Sequence, residues 1–197
     1  MQLEHNYWYF TKAVDKETCD KIISMCLMQK HERGSIGKLG KNGKIKADYR
    51  DCKVSWISSE WIYNILNPFI DTANKKAGWN FQWDWNEPSQ FTSYEKDDHY
   101  NWHNDQVKYG EDENKNFKNK IRKLSLTLQL TEPTKYEGGD LQIKYFNNNT
   151  VKKDTLTNLR EVGTVIIFPS FVWHRITPIT KGKRQSLVNW SLGKPFE

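Results

Sequence analysis

From residue 79 onward the chain breaks into short runs of aromatic or β-branched alternation, and no other feature limits the fold as tightly. The runs are FQWDW, QFTSY, YNWHND, KLSLTLQL, DLQIKYF, GTVIIFP and SLVNWSL. A period of two sends successive side chains to opposite faces of a strand, so each run reads as a strand with one buried side. Gly138-Gly139, Asn147 to Asn149 and Lys181-Gly182-Lys183 separate them as turns. About seven or eight antiparallel strands in series predict a double-sheet jelly roll, the double-stranded β-helix.

Before residue 79 the period changes. Cys19, Ile22, Ile23, Cys26 and Leu27 follow an i, i+3, i+4, i+7, i+8 pattern within residues 15–29, which predicts an amphipathic helix capped by Asp15. Residues 58–77 are helical again. Asn67-Pro68 has the form of an N-cap and first-turn pair, so two consecutive helices are expected there. Between the helical segments YRDCKVSWI predicts a strand, preceded by a glycine- and cation-rich loop over 30–47. A second long polar connection runs over 106–120 and is expected to be mobile. The expected architecture is α+β: one domain over 1–197, with helical support at about 10–78 packed on one sheet of a jelly-roll core at about 79–193.

Composition narrows the classes. Of 197 residues, 37% are hydrophobic and 14% aromatic, which excludes a disordered chain. No run approaches the roughly 18 apolar residues of a membrane helix, so no membrane association is expected. MQLEHNYWYF lacks a basic region followed by an apolar stretch, so no signal peptide is expected and a cytoplasmic location is. Three cysteines, Cys19, Cys26 and Cys52, argue against a disulfide framework. The net charge of +6 would suit nucleic acid or an acidic partner, but the lysines are scattered among Asp, Glu and Asn, and the favoured reading is a solvated surface.

Three pieces carry chemistry. In WHND, a strand would put His103 and Asp105 on one face. By itself that pair also reads as a His–Asp hydrogen bond on a sheet surface. In GTVIIFPSFVWHRI, a buried strand ends at Pro169 and His174 follows at the mouth of the barrel. Two histidines and one carboxylate make a facial triad, which leaves open positions on non-haem Fe(II), although zinc also accepts such ligands. Arg184 lies ten residues after His174, beyond a turn. Buried in the barrel it would need a carboxylate partner, with Ser186 on the same face able to donate a hydroxyl; alternatively it is a surface cation beside Lys181 and Lys183.

YEKDDHYNWHND, RKLSLTLQLTEPTKYEGGDLQI and GTVIIFPSFVWHRITPITKGKRQSLVNW occur here in the order and at separations that resemble the prolyl-4-hydroxylase branch of the 2-oxoglutarate/Fe(II) oxygenases, including its bacterial and phage PKHD-type members. The likeness runs from about Trp56 to Trp190. It implies His103, Asp105 and His174 as iron ligands, Arg184 as the anchor of the cosubstrate's far carboxylate, and Tyr94 as a further cosubstrate contact. It implies Arg122 and Trp190 as contacts to a peptide substrate, for which ordinary packing and a surface charge are the alternative. Fe(II), 2-oxoglutarate and O2 follow as cofactors, with ascorbate as a candidate accessory. The residues 30–47 and 106–120 are candidate lids.

The chain departs from the collagen-type animal enzymes, which typically have Lys where Arg184 stands. EKDDHY also lacks the glycine often found before the first iron ligand. These departures leave the cofactor chemistry in place and weaken any claim about substrate. The expected reaction is hydroxylation of a prolyl residue in a peptide or protein. The alternatives are the same chemistry on another residue, a metabolite or a nucleobase, or a jelly-roll binding module without catalysis. Repair oxygenases of nucleic acids usually carry a second arginine six residues after the first, where this chain has Trp190, so a nucleic-acid partner is disfavoured without being eliminated. Oligomeric state is left open.

Overall fold

A computed structural model describes residues 3–34, 49–111, 115–147 and 150–196. The chain opens with strand β1 (Trp8–Phe10) and helix α1 (Lys16–Leu27). Short strands β2 (Glu32–Arg33), β3 (Arg50–Asp51) and β4 (Lys53–Ile57) precede helix α2 (Glu60–Lys76). The rest is built on strands: β5 (Trp85–Asn86), β6 (Ser89–Tyr94), β7 (His99–His103), β8 (Ile121–Gln129), β9 (Tyr136–Gly138), β10 (Leu141–Asn147), β11 (Thr150–Thr155), β12 (Val165–Pro169), β13 (Trp173–Ile176), β14 (Ile179–Gly182) and β15 (Arg184–Gly193).

The strands form a major sheet of order β1-β12-β8-β15-β6-β4-β2, with β5 also on β15. A minor sheet has the order β11-β10-β13-β7-β3, and β14 pairs with β9. These pairings are antiparallel. The expected α+β jelly roll with helices on one sheet is what forms.

Alternation explains both faces of the major sheet. On β8, Leu124, Leu126 and Leu128 pack in one core with Ile22 and Cys26 of α1 and Ile62, Leu66 and Ile70 of α2. Ser125 and Gln129, from the intervening positions, bond to Asp105 and Arg184 on the other side. On β12, Val165 and Ile167 join the helix-side core, whereas Ile166 and Phe168 join a second core with Leu141, Ile143 and Ile176 of the minor sheet. That second core lies between the sheets, where the site is.

Several expectations need correction. The segment around Pro68 is one helix, not two. Ile62, Leu66, Ile70 and Ala73 are fully buried at helical spacing, and a break at Pro68 would turn half of that stripe off the sheet. Pro68 itself is exposed, so its ring meets solvent. YRDCKVSWI is split at Cys52, where the chain passes from the minor sheet (β3) to the major one (β4). FQWDW yields only Trp85–Asn86, and YNWHND stops as a strand at His103. Strand β1, pairing with β12 before either helix, was not anticipated.

The cap works as expected: the Thr18 N–H donates to Asp15 Oδ1 at 2.8 Å. Cys19, Cys26 and Cys52 are free and buried. Most of the 30–47 loop lies outside the described residues. Of the 106–120 connection, 112–114 lie outside the described residues; its two described ends pair with each other, Tyr109 N–H donating to Lys120 O at 2.9 Å and Lys108 bridging Ile121.

Candidate metal and cosubstrate site

His103 ends β7 and His174 lies in β13, directly opposite it in the antiparallel register. The two rings come to 4.1 Å between centroids. Asp105 follows β7 by two residues, and its N–H donates to Ser170 O at 2.8 Å, which ties it to the turn leading into β13. Although β7 has ended, Asp105 still lies on the same side as His103. One ligand atom from each of His103, Asp105 and His174 lies within 4.8 Å of the others, and all three residues are buried.

The donor set fits a divalent cation. His103 Nδ1 contacts Asn101 O at 2.7 Å and His174 Nδ1 contacts Val172 O at 3.0 Å. A carbonyl only accepts, so each Nδ1 carries the hydrogen and each Nε2 keeps its lone pair. Those Nε2 atoms stand 3.6 and 3.5 Å from the two Asp105 oxygens, beyond ordinary hydrogen-bond length. Burial, then the neighbouring His174, pushes His103 down to about 3, so its imidazole is neutral at ordinary pH. Burial would raise Asp105, but His174, His103 and Arg122 outweigh it and hold the carboxyl at about 2. Ser125 Oγ donates to Asp105 Oδ2 at 2.8 Å and meets Ser170 Oγ at 3.0 Å. Tyr100 stacks on His103 with centroids 3.4 Å apart. A neutral His103 imidazole and an ionised Asp105 carboxylate, oriented from behind, are what a metal requires of such ligands.

Arg184, first residue of β15, is 2% exposed. Its Nη1 donates to Ser186 Oγ at 3.3 Å and its Nη2 to Gln129 Oε1 at 3.0 Å, and the guanidinium sits 5.7 Å from the Tyr94 ring. No carboxylate among the described residues pairs with it. A buried guanidinium held only by neutral groups is costly unless an anion completes it. The distal carboxylate of a dicarboxylic ligand suits that position. Gly139 makes room beside it: a Cβ there would come 2.3 Å from Ile179 Cδ1 and 3.1 Å from Arg184 Cδ, and the backbone has a φ of +64°.

His103, Asp105, His174, Tyr94, Arg184, Ser186 and Trp190 all line one cavity between the sheets. Leu141, Phe168, Ile176 and Val188 form its apolar walls. Tyr94 is buried, which pushes its phenol well above the usual range. Arg122 is not on that lining; it forms a double hydrogen bond with Glu87 and covers the Trp190 ring at 4.0 Å. Sequence reasoning missed Arg50, a second buried guanidinium on the lining, which donates to Gln90 Oε1 at 2.7 Å and lies 4.4 Å from the Tyr100 ring. It also missed Glu87, Ser125 and Gln129. The polar letters of KLSLTLQL were the available signal for the last two.

Three comparisons bear on this geometry. A family model described as the 2OG-Fe(II) oxygenase superfamily matches residues 89–192. PKHD-type hydroxylases from Hyphomonas neptunium and Methylobacterium nodulans are similar, at 40% identity over 68 residues and 41% over 69. Each alignment covers 34% of this chain and spans only 27% of the relative's length. Among solved structures, a Pseudomonas putida prolyl-4-hydroxylase superposes with a TM-score of 0.66 at 17% identity, covering 95% of this chain and 93% of that one. A Trichoplax adhaerens prolyl hydroxylase in complex with a hypoxia inducible factor peptide fragment superposes at 0.67 and 16%, covering 95% and 84%. A viral collagen prolyl hydroxylase from Paramecium Bursaria Chlorella virus-1, complexed with 2OG, gives 0.63 and 16%, covering 96% and 97%.

Proposed function

Because the chain belongs to the 2OG-Fe(II) oxygenase superfamily, we propose that it hydroxylates a C–H bond of a prolyl residue in a peptide or protein. The observation that carries the oxygenase chemistry is the pairing, in one cavity, of a buried His103/Asp105/His174 cluster with the carboxylate-free guanidinium of Arg184. Members of this superfamily use Fe(II), 2-oxoglutarate and O2. The prolyl substrate is supported by likeness to PKHD-type hydroxylases and by the peptide bound in one structural neighbour.

In this reading His103, Asp105 and His174 hold the iron, each through the atom its hydrogen bonds leave facing the cavity. When bound, the iron and cosubstrate supply the oxidising chemistry, in which 2-oxoglutarate and O2 become succinate and CO2 and one oxygen atom enters the substrate C–H bond. Arg184 binds the far carboxylate of the cosubstrate, with Ser186 and Gln129 fixing its fork and Tyr94 packed against it. The apolar walls exclude water from the reacting atoms, strengthening each charge interaction within. Asp105 stays ionised and His103 neutral, so neither gives up a ligand to a proton at ordinary pH. Trp190, on the lining, and Arg122, behind it, are the proposed substrate-side residues, and the 106–120 connection is the proposed cover.

The test has two stages. Anaerobic protein titrated with Fe(II) and 2-oxoglutarate should develop the weak visible band of the chelate, and His174→Ala should abolish both the band and cosubstrate turnover. Full residual turnover in that variant would remove His174 from the site. Proline-containing peptides are then scored by mass for one added oxygen. A chelate band with no peptide modified would transfer the same chemistry to another substrate.

A further inference from the structure

We propose that Glu87 is a positioning residue of this site, fixing Arg122 behind Trp190, which forms one wall of the cavity, and tying Tyr109 to it. The proposal rests on the reading of Asp105 as an iron ligand. Glu87 is 4% exposed and lies between β5 and β6. Its backbone is fastened first: its N–H donates to Trp190 O at 3.0 Å, and its carbonyl accepts from Asn189 Nδ2 at 3.1 Å and from the Tyr63 hydroxyl at 3.2 Å. Its carboxylate then takes both forks of a guanidinium, with Arg122 Nε on Oε1 and Nη2 on Oε2, each at 2.6 Å. Tyr109, from the 106–120 connection, donates its hydroxyl to the same Oε1 at 2.8 Å.

The held guanidinium has two further neighbours. It covers the Trp190 indole at 4.0 Å, and its Nη1 reaches toward Asp105 O at 3.5 Å. A bidentate pair is planar and directional, so it fixes the indole as a free arginine would not. Trp190 lines the cavity with Asp105, and its side chain is near enough to that carboxylate to help hold it ionised, although Nε1 makes no hydrogen bond of ordinary length among the described residues. Arg122 therefore has its strong donors committed to Glu87. A buried ion pair is often no more stabilising than an apolar replacement, so stability alone is a weak reason for one at this place.

The test compares the unaltered chain with Glu87→Gln and with the double variant Glu87→Gln/Arg122→Gln. Three quantities are read: Tm, hydrogen exchange at the Tyr109 and Lys120 amides, and Fe(II) affinity from the anaerobic titration with 2-oxoglutarate. Glu87→Gln should weaken Fe(II) binding about tenfold, as loss of groups behind metal ligands does, and speed exchange at both amides. The double variant, lacking the stranded buried charge, should regain Tm without regaining Fe(II) affinity or amide protection. Variants that lose Tm yet titrate and exchange like the unaltered chain would overturn the proposal and leave an ordinary structural pair. If Glu87→Gln does not fold, the double variant decides by the same readouts. An unaltered chain without a chelate band would sink the iron reading instead, and exchange alone would then decide whether Glu87 holds the connection.

Discussion

Arg184 shows what a single residue imposes. Its guanidinium has Gln129 and Ser186 as partners and no carboxylate among the described residues, so bound cosubstrate would supply the missing charge. Hydrogen bonds to charged groups contribute about 1.5–3 kcal/mol, so Arg184→Ala should raise the 2-oxoglutarate requirement about tenfold to a hundredfold. Iron binding should change little, since the triad is built from other strands. An unchanged requirement in steady-state assays would place the anchor elsewhere. Arg184, His103 and His174 were legible because each belongs to a recognisable run with a fixed separation from the others. Arg50 and Glu87 were not. Arg50 stands in a two-residue strand, and Glu87 in a short link between strands, where no periodicity says which way a side chain points.

Among the elements, α2 is where local rules gave the wrong answer. Asn67-Pro68 has the signature of a helix start, yet the buried stripe of Ile62, Leu66, Ile70 and Ala73 runs straight through it. Tertiary packing of four fully buried side chains outweighs one proline on the solvent side. That proline still forfeits a backbone hydrogen bond and crowds the preceding turn. Pro68→Ala should therefore raise Tm, by about 2–4 °C for each kcal/mol recovered. A lower Tm in a thermal melt would mean that the proline's restriction of the unfolded chain matters more. The strands were legible in kind because their alternation is set by burial on one side. Their ends were not: Trp85–Asn86, for one, ends while its partner β15 runs on, a boundary the local sequence does not encode.

For the whole molecule, the two sheets meet through the metal site, since Asp105 accepts from Ser125 of the major sheet while His103 and His174 belong to the minor one. Filling the site should stabilise the fold. Fe(II) at a hundred times its dissociation constant adds about 2.7 kcal/mol, so stripping the metal with a chelator should lower Tm by roughly 5–10 °C. A melt indifferent to chelator would show that the cluster does not bind Fe(II) appreciably. The division of labour along β8 has a further consequence. Leu124, Leu126 and Leu128 serve the core while Ser125 and Gln129 serve the cavity, on alternating letters of one strand. A lineage could therefore exchange cavity letters one at a time and drift toward a new substrate while its core stays untouched. Inserting or deleting a single residue within that strand has no such gentle route: it would transpose the two alphabets at once, setting leucines against the ligands and hydroxyls against the helices.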